Sequence, residues 1–332
     1  MAKSHKAQHW IPKCYLRAWA DPNVPAGHKP YVHVFSKDGT TSRKKSPENL
    51  FTETDLYTIQ LPDGGRDLRL EHGLCGLETS FSAIRRDFLD RRKHLPLPRY
   101  LKLMAFVAAM HSRTPSRRNH WIGFWNEVIE EGERVERHMK SASPEERRRA
   151  SATSLPSRDN RRSMSLDDVR KITASPMEHT LGPHIAAEFP LLMQMKCFVL
   201  YGASSTGFIT SDAPVVWFDP GWHRKPPLFR SPSFSDPALE ITFPVSPDQM
   251  LFFMHGEMNP ERPVEYREIA ENDITELNRR TRFRCDKEFV ARTQSIEPHW
   301  FDQGALPADA WELNEGNASN TGIRSEQTCV QH

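Results

Sequence analysis

Apolar residues recur along this chain in two rhythms, one helical and one extended. Over residues 68–89, Leu70, Leu74, Leu77, Phe81, Ile84 and Phe88 fall at i, i+4, i+7, i+11, i+14 and i+18, which predicts a helix with one face on a core. A second long helix is predicted to begin near Pro98 and carry Leu101, Met104, Phe106, Val107 and Met110, then Trp121, Phe124, Trp125 and Val128. Pro115 should kink or break it, because proline removes a backbone donor and clashes with the preceding turn. Residues 166–196 read as helix interrupted by Pro176 and Pro183, and residues 264–283 as a final helix.

The extended rhythm appears in short apolar runs bounded by Gly, Pro and Asp. Residues 31–35, 56–59, 197–201, 207–210, 215–218, 240–243, 250–254 and 288–292 are predicted strands of a mixed or antiparallel sheet. Near the start, Pro12 opens a short helix carrying Tyr15, Leu16 and Trp19, which Asp21-Pro22 closes. Residues 141–165, rich in Ser, Arg and Pro, read as a mobile insertion, and the polar stretch 299–332 as a disordered tail. The fold class expected is α+β, with long helices packed on a mixed or antiparallel sheet and residues 1–298 as a single domain.

Composition narrows the function classes only a little. With 37% hydrophobic and 27% charged residues and a mean hydropathy of -0.65, the chain is an ordinary, rather polar globular sequence. Its longest apolar candidate, residues 101–110, contains Lys102 and is about half the roughly 20 residues needed to span a bilayer, so no membrane partner is expected. The polar start runs into Trp10-Ile11-Pro12 rather than an apolar signal segment, which predicts a cytoplasmic protein. Five cysteines without a CxxC pair disfavour a zinc ribbon and a disulfide framework. The net charge of +2 makes no global case for nucleic acid. Locally, Arg85, Arg86, Arg91, Arg92, Lys93, Arg99 and Lys102 form one basic stretch and Arg147, Arg148, Arg149, Arg158, Arg161 and Arg162 another. Each reads either as a solvated face or as a track for phosphates.

No nucleotide-binding loop, nucleophile elbow or zinc-protease motif occurs, so candidate chemistry rests on polar residues at turns and element ends. His9 precedes a proline-started helix, whose positive end favours a neutral imidazole able to act as base or ligand, or as a packed capping residue. Glu53, Asp55 and Tyr57 alternate and would share one strand face, suiting a metal, a basic partner or plain solvent. Glu78 on the first long helix and His111, Arg113 and Arg117 on the second could face one another as an acid/base or metal site, or as a structural ion pair. Arg113 and His120 also stand at the arginine, six residues, histidine spacing of one class of helical metal-independent ribonucleases, with Pro115 between them. Asp212 closes a predicted strand, where it either presents a catalytic carboxylate or bonds turn amides.

In order, His9-Trp10-Ile11-Pro12 with Tyr15-Leu16, Glu53-Thr54-Asp55-Leu56-Tyr57, Leu77-Glu78, Arg113-Thr114-Pro115, Phe208-Ile209-Thr210-Ser211-Asp212-Ala213-Pro214, Phe243-Pro244-Val245-Ser246-Pro247 and Leu277-Asn278 resemble the bacterial family of unknown function DUF4238. Ala213 stands where that pattern usually has Asn. The resemblance implies a single domain of this length and carries no assigned activity. The leading functional expectation is a hydrolase of a phosphodiester, RNA or DNA. Its polar cleft would hold His9, Glu78, His111 and Asp212 as catalytic residues, and Arg113 and Arg117 as phosphate ligands. A divalent metal ion is the candidate cofactor, unless carboxylate and imidazole work as a direct acid/base pair. The alternatives are a non-catalytic module that binds nucleic acid or another protein, and a hydrolase of some other small molecule.

Overall fold

A computed structural model of the chain describes residues 7–25, 27–61, 63–153, 164–226 and 230–302. Strand β1 (Ala7–His9) leads through Pro12 into the one-turn helix α1 (Lys13–Leu16), which buries Tyr15 and Leu16. A hairpin of β2 (Val32–Ser36) and β3 (Ser42–Lys45) follows; then β4 (Thr52–Thr54) returns to pair with β1, and β5 (Ile59–Gln60) pairs with β6 (Arg66–Asp67). The helical part comprises α2 (Arg69–Ile84), α3 (Leu97–Ser112), α4 (Pro115–Ser141), α5 (Pro144–Thr153), α6 (Leu166–Ala174) and α7 (Pro176–Leu192). The rest holds β7 (Met195–Tyr201), β8 (Thr210–Ser211), β9 (Val216–Phe218), β10 (Glu240–Ser246), β11 (Gln249–His255), β12 (Glu265–Glu268), α8 (Glu271–Arg284) and β13 (Glu288–Ala291).

The fold is α+β, as the two rhythms predict, but its strands divide into two main sheets. A five-stranded sheet has the order β12-β7-β11-β10-β9 and a four-stranded one the order β3-β2-β13-β8. Pairing in the first is antiparallel except where β12 runs parallel to β7. Phe81 of α2 and Phe106 of α3 stack at 4.1 Å and meet Phe243 of β10, so the two helices cover that sheet. Tyr15 joins the sheets: its hydroxyl donates to the Pro244 carbonyl of β10 at 2.7 Å and shares a hydrogen bond with Thr210 of β8 at 2.6 Å.

Several expected boundaries move, each for a local reason. The helix expected across Pro115 breaks completely: Thr114 caps α4 by accepting from the Arg117 amide at 3.5 Å, and Pro115 becomes its first residue. Pro183 lies inside α7 without ending it, because α7 is held by buried Met177, Leu181 and Leu192. The strand expected at 56–59 is mostly a turn. Asp55 takes the left-handed conformation (φ 56°), and the Gln8 side chain accepts the Tyr57 amide at 2.6 Å, so Glu53, Asp55 and Tyr57 share no strand face. Residues 265–268, expected as helix, form β12, with the Tyr266 hydroxyl donating to the Lys93 carbonyl at 2.9 Å.

The supposed insertion is helical as far as Thr153, with α4 running to Ser141 and α5 following; residues 154–163 lie outside the described residues. The expected tail also begins too early, since Trp300 is fully buried edge-on to Phe289. Residues 303–332 lie outside the described residues. Among the described residues, no helix is long and apolar enough to cross a membrane.

Candidate functional site

The six residues expected to share one cleft fall in three places. His9, Glu78 and Arg113 come together at the carboxyl end of α3. The Arg113 side chain is 1% exposed, and it donates from Nε to the Trp10 carbonyl at 2.6 Å and from Nη2 to the His9 carbonyl at 2.9 Å and to Glu78 at 3.0 Å. Its guanidinium thus ties β1 and the following turn to α2 and α3, with no face toward solvent on which to receive a phosphate. His9 donates from Nε2 to the Pro47 carbonyl at 3.3 Å, and burial lowers its pKa. His120 does not align with Arg113 on one helix, because the chain breaks between α3 and α4 and leaves His120 exposed.

Asp212 sits elsewhere, at the end of β8. Its carboxylate accepts the backbone amides of Asp286, Lys287 and Glu288 at 2.8, 2.7 and 3.0 Å, which clamps the turn between α8 and β13. Burial pushes this carboxyl up to about 6, against the opposing pull of the three amides. Asp212 therefore holds backbone in place. Asp212→Ala is expected to cost about 2 kcal/mol of stability, read from the midpoint of urea unfolding, because it removes the charged acceptor of three part-buried backbone donors. Glu53 and Asp55 are likewise met by protein cations, Arg118 at 2.6 Å and Arg66 respectively.

His111 and Arg117 mark the third place, where the end of α3, the start of α4, α7 and β9 converge. The His111 Nδ1 lies 2.8 Å and 3.0 Å from the two oxygens of Glu188, both side chains being about one-tenth exposed. A carboxylate only accepts, so Nδ1 carries the proton and Nε2 keeps its lone pair. Nε2 has no protein partner among the described residues, and His111 lines a cavity of about 250 Å³. Its ring also stacks on Trp217 at 4.8 Å. Burial lowers the His111 pKa; Glu188 opposes that shift and Arg117 adds to it, which favours the neutral base.

The same cavity gathers hydrogen-bond donors that lack acceptors. Arg284 Nε and Trp217 Nε1 are buried without a protein partner among the described residues. Arg117 Nη2 stands 3.4 Å from His111 Nδ1, a nitrogen already committed as donor to Glu188, so that guanidinium gains no acceptor there. Burial lowers the pKa of both arginines, yet a guanidinium starts so far above neutral that each remains a cation there. The first turn of the 27-residue α4 adds Ser116 and the positive end of the helix, while Asp286 lies exposed at the margin. Such a concentration of donors suits an oxyanion placed beside the free Nε2.

The sequence model of the family described as "Protein of unknown function (DUF4238)" matches residues 7–295. The chain belongs to the DUF4238 family. No curated protein and no solved structure matches it. In this DUF4238 chain the residues that carry the family pattern mostly hold the fold together: Tyr15 joins the sheets, Arg113 anchors β1, and Asp212 clamps a turn. Asn278 takes the Ile209 amide at 3.0 Å and donates to the Gly207 carbonyl at 2.8 Å. The His111 pocket draws instead on Glu188, Trp217 and Arg284, which sequence reasoning missed. Glu188 lay in a stretch read only as proline-interrupted helix; a carboxylate on its buried face was the one available signal. Among the described residues no group of three or more His, Cys, Asp or Glu side chains is gathered to hold a metal ion. The divalent ion expected for a carboxylate and imidazole cleft thus has no ligand set among them.

Proposed function

We propose that the His111 pocket binds a phosphoryl oxyanion and hydrolyses a phosphodiester of a nucleic acid by direct acid/base chemistry. The observation that carries this reading is His111 itself, held through Nδ1 by Glu188 and open at Nε2, beside the Arg117 guanidinium and the unpartnered Arg284 Nε. A nucleophile's base oriented by a third group is the general form of such sites. In this mechanism the non-bridging oxygens seat on the two arginines. The attacking hydroxyl, a water or a ribose 2′-hydroxyl, gives its proton to Nε2 as the new oxygen–phosphorus bond forms. The bond from phosphorus to the leaving oxygen breaks, and the imidazolium returns the proton to that oxygen. Glu188 holds the ring and stabilises its cationic form.

The test offers end-labelled single-stranded RNA and DNA to the purified chain, with and without added divalent ions. Cleavage that disappears in His111→Ala while binding persists supports the mechanism. Tight, salt-sensitive binding without turnover by the wild type would replace it with the reading of a non-catalytic nucleic-acid module. Arg117→Ala and Arg284→Ala are each expected to weaken oligonucleotide binding about tenfold and to reduce the salt dependence of log K by about one, as measured by fluorescence anisotropy across a salt series.

A further inference from the structure

Helix α4 is 27 residues long and has no fully buried residue among those described, yet it carries Trp121, Phe124 and Trp125 within its first three turns. These rings form a continuous series. His184 of α7 stacks on Trp121 at 4.3 Å, Trp121 meets Phe124 edge-on at 5.9 Å, and Phe124 meets Trp125 edge-on at 5.0 Å. Phe124 is 44% exposed, so the series opens to solvent rather than closing into a core. It also begins one helical turn from the pocket. Trp121 is one turn beyond Arg117, about 6 Å along the axis, and His184 lies within electrostatic range of Arg117, Glu188 and His111.

We infer that this aromatic series is a stacking platform for the bases of a single-stranded nucleic acid whose phosphate occupies the His111 pocket. The inference rests on the reading of that pocket as a phosphate site and extends it to the form of the substrate. Two features select this occupant. An exposed phenyl ring between two part-buried indoles, placed beside a cationic pocket, offers what a single strand needs, a face for unstacked bases and a charge for the backbone. A duplex keeps its base faces stacked internally and has none to present. On the pocket side the series is bordered by the polar Asn119 and His120, Arg118 being paired with Glu53, whereas the acidic Glu127, Glu130 and Glu131 follow it, so the phosphates of a bound strand are held at the Arg117 end.

The experiment measures binding of an oligouridine bearing 2′-O-methyl groups, which cannot be cleaved through its 2′ positions, alongside hydrolysis of an unmodified dinucleotide. Phe124→Ala and Trp121→Ala are each expected to weaken oligouridine binding about tenfold, or roughly 1.4 kcal/mol, and Phe124→Ala, farther from the pocket, to leave dinucleotide hydrolysis unchanged. Phe124→Tyr should bind as the wild type does. Phe124 is the deciding position, because its exposure makes truncation harmless to folding, and far-UV circular dichroism checks this for both variants. Unchanged oligouridine affinity in Phe124→Ala, or a duplex bound as tightly as the single strand, would overturn the platform. If Arg117→Ala still weakens binding in that case, the pocket reading survives alone. If the wild type neither binds the oligomer nor cleaves the dinucleotide, both readings fall together.

Discussion

Arg113→Met is expected to destabilise the fold by about 3–5 kcal/mol, a large part of the roughly 5–15 kcal/mol that typically separates folded from unfolded chains. The guanidinium bonds two main-chain carbonyls, those of His9 and Trp10, and the Glu78 carboxylate. Methionine fills much of the volume but leaves all three acceptors without that partner. Buried carbonyls stripped of a donor cost about 1–3 kcal/mol each, while Glu78, a quarter exposed, recovers part of its loss through water. Arg113→Lys should fall between the two, because one ammonium cannot reproduce the planar fork that reaches acceptors on separate segments. Urea unfolding followed by circular dichroism reads the effect. A wild-type midpoint in Arg113→Met would show that the guanidinium is dispensable to the fold and return it to consideration as a phosphate ligand.

That expectation reverses the role the sequence suggested, and the reason is general. A polar residue at a helix or strand end has the same sequence signature whether it meets substrate or a distant main-chain segment, since the signature contains no partner. Arg113 binds residues more than a hundred positions away, and Asp212 binds amides more than seventy positions away. What one element decides by itself was legible. The apolar spacing of residues 68–89 returns as α2 and its extension, with Leu74, Phe81 and Ile84 buried, and Pro115 breaks the helix as its chemistry requires.

Features decided between elements were not legible. Strand β3 has no buried residue and therefore no apolar alternation; it exists because β2 supplies its hydrogen bonds. Strand β12 reads as helix until β7 provides a parallel partner. The division into two sheets depends on β2 from the start of the chain pairing with β13 from its end, a contact that no local pattern announces. The pocket is harder still, since Glu188, Trp217 and Arg284 become one site only through the packing of α7, β9 and α8 around α3. His111 and Arg117 were legible as candidates because a histidine and an arginine flanking a helix break are conspicuous in sequence.

His111→Ala is expected to reduce phosphodiester hydrolysis by about 10²–10⁴-fold while leaving oligonucleotide affinity within a few fold, since the imidazole moves a proton and the arginines hold the anion. The pH dependence supplies a sharper check than the size of the loss. Acting as base, His111 must be neutral, so activity should fall as pH drops through its pKa. Burial places that pKa below the ordinary 6.5, and the acid limb of kcat/KM should therefore have its midpoint below 6.5. The neighbours then move the midpoint in opposite directions. Glu188 raises the imidazole pKa, so Glu188→Gln should shift the acid limb lower; Arg117 lowers it, so Arg117→Ala should shift the limb higher. A residue of purely structural importance would reduce activity at every pH without this pair of opposed shifts. An acid limb that ignored both substitutions would assign the titrating group to some other residue and remove His111 from the chemistry.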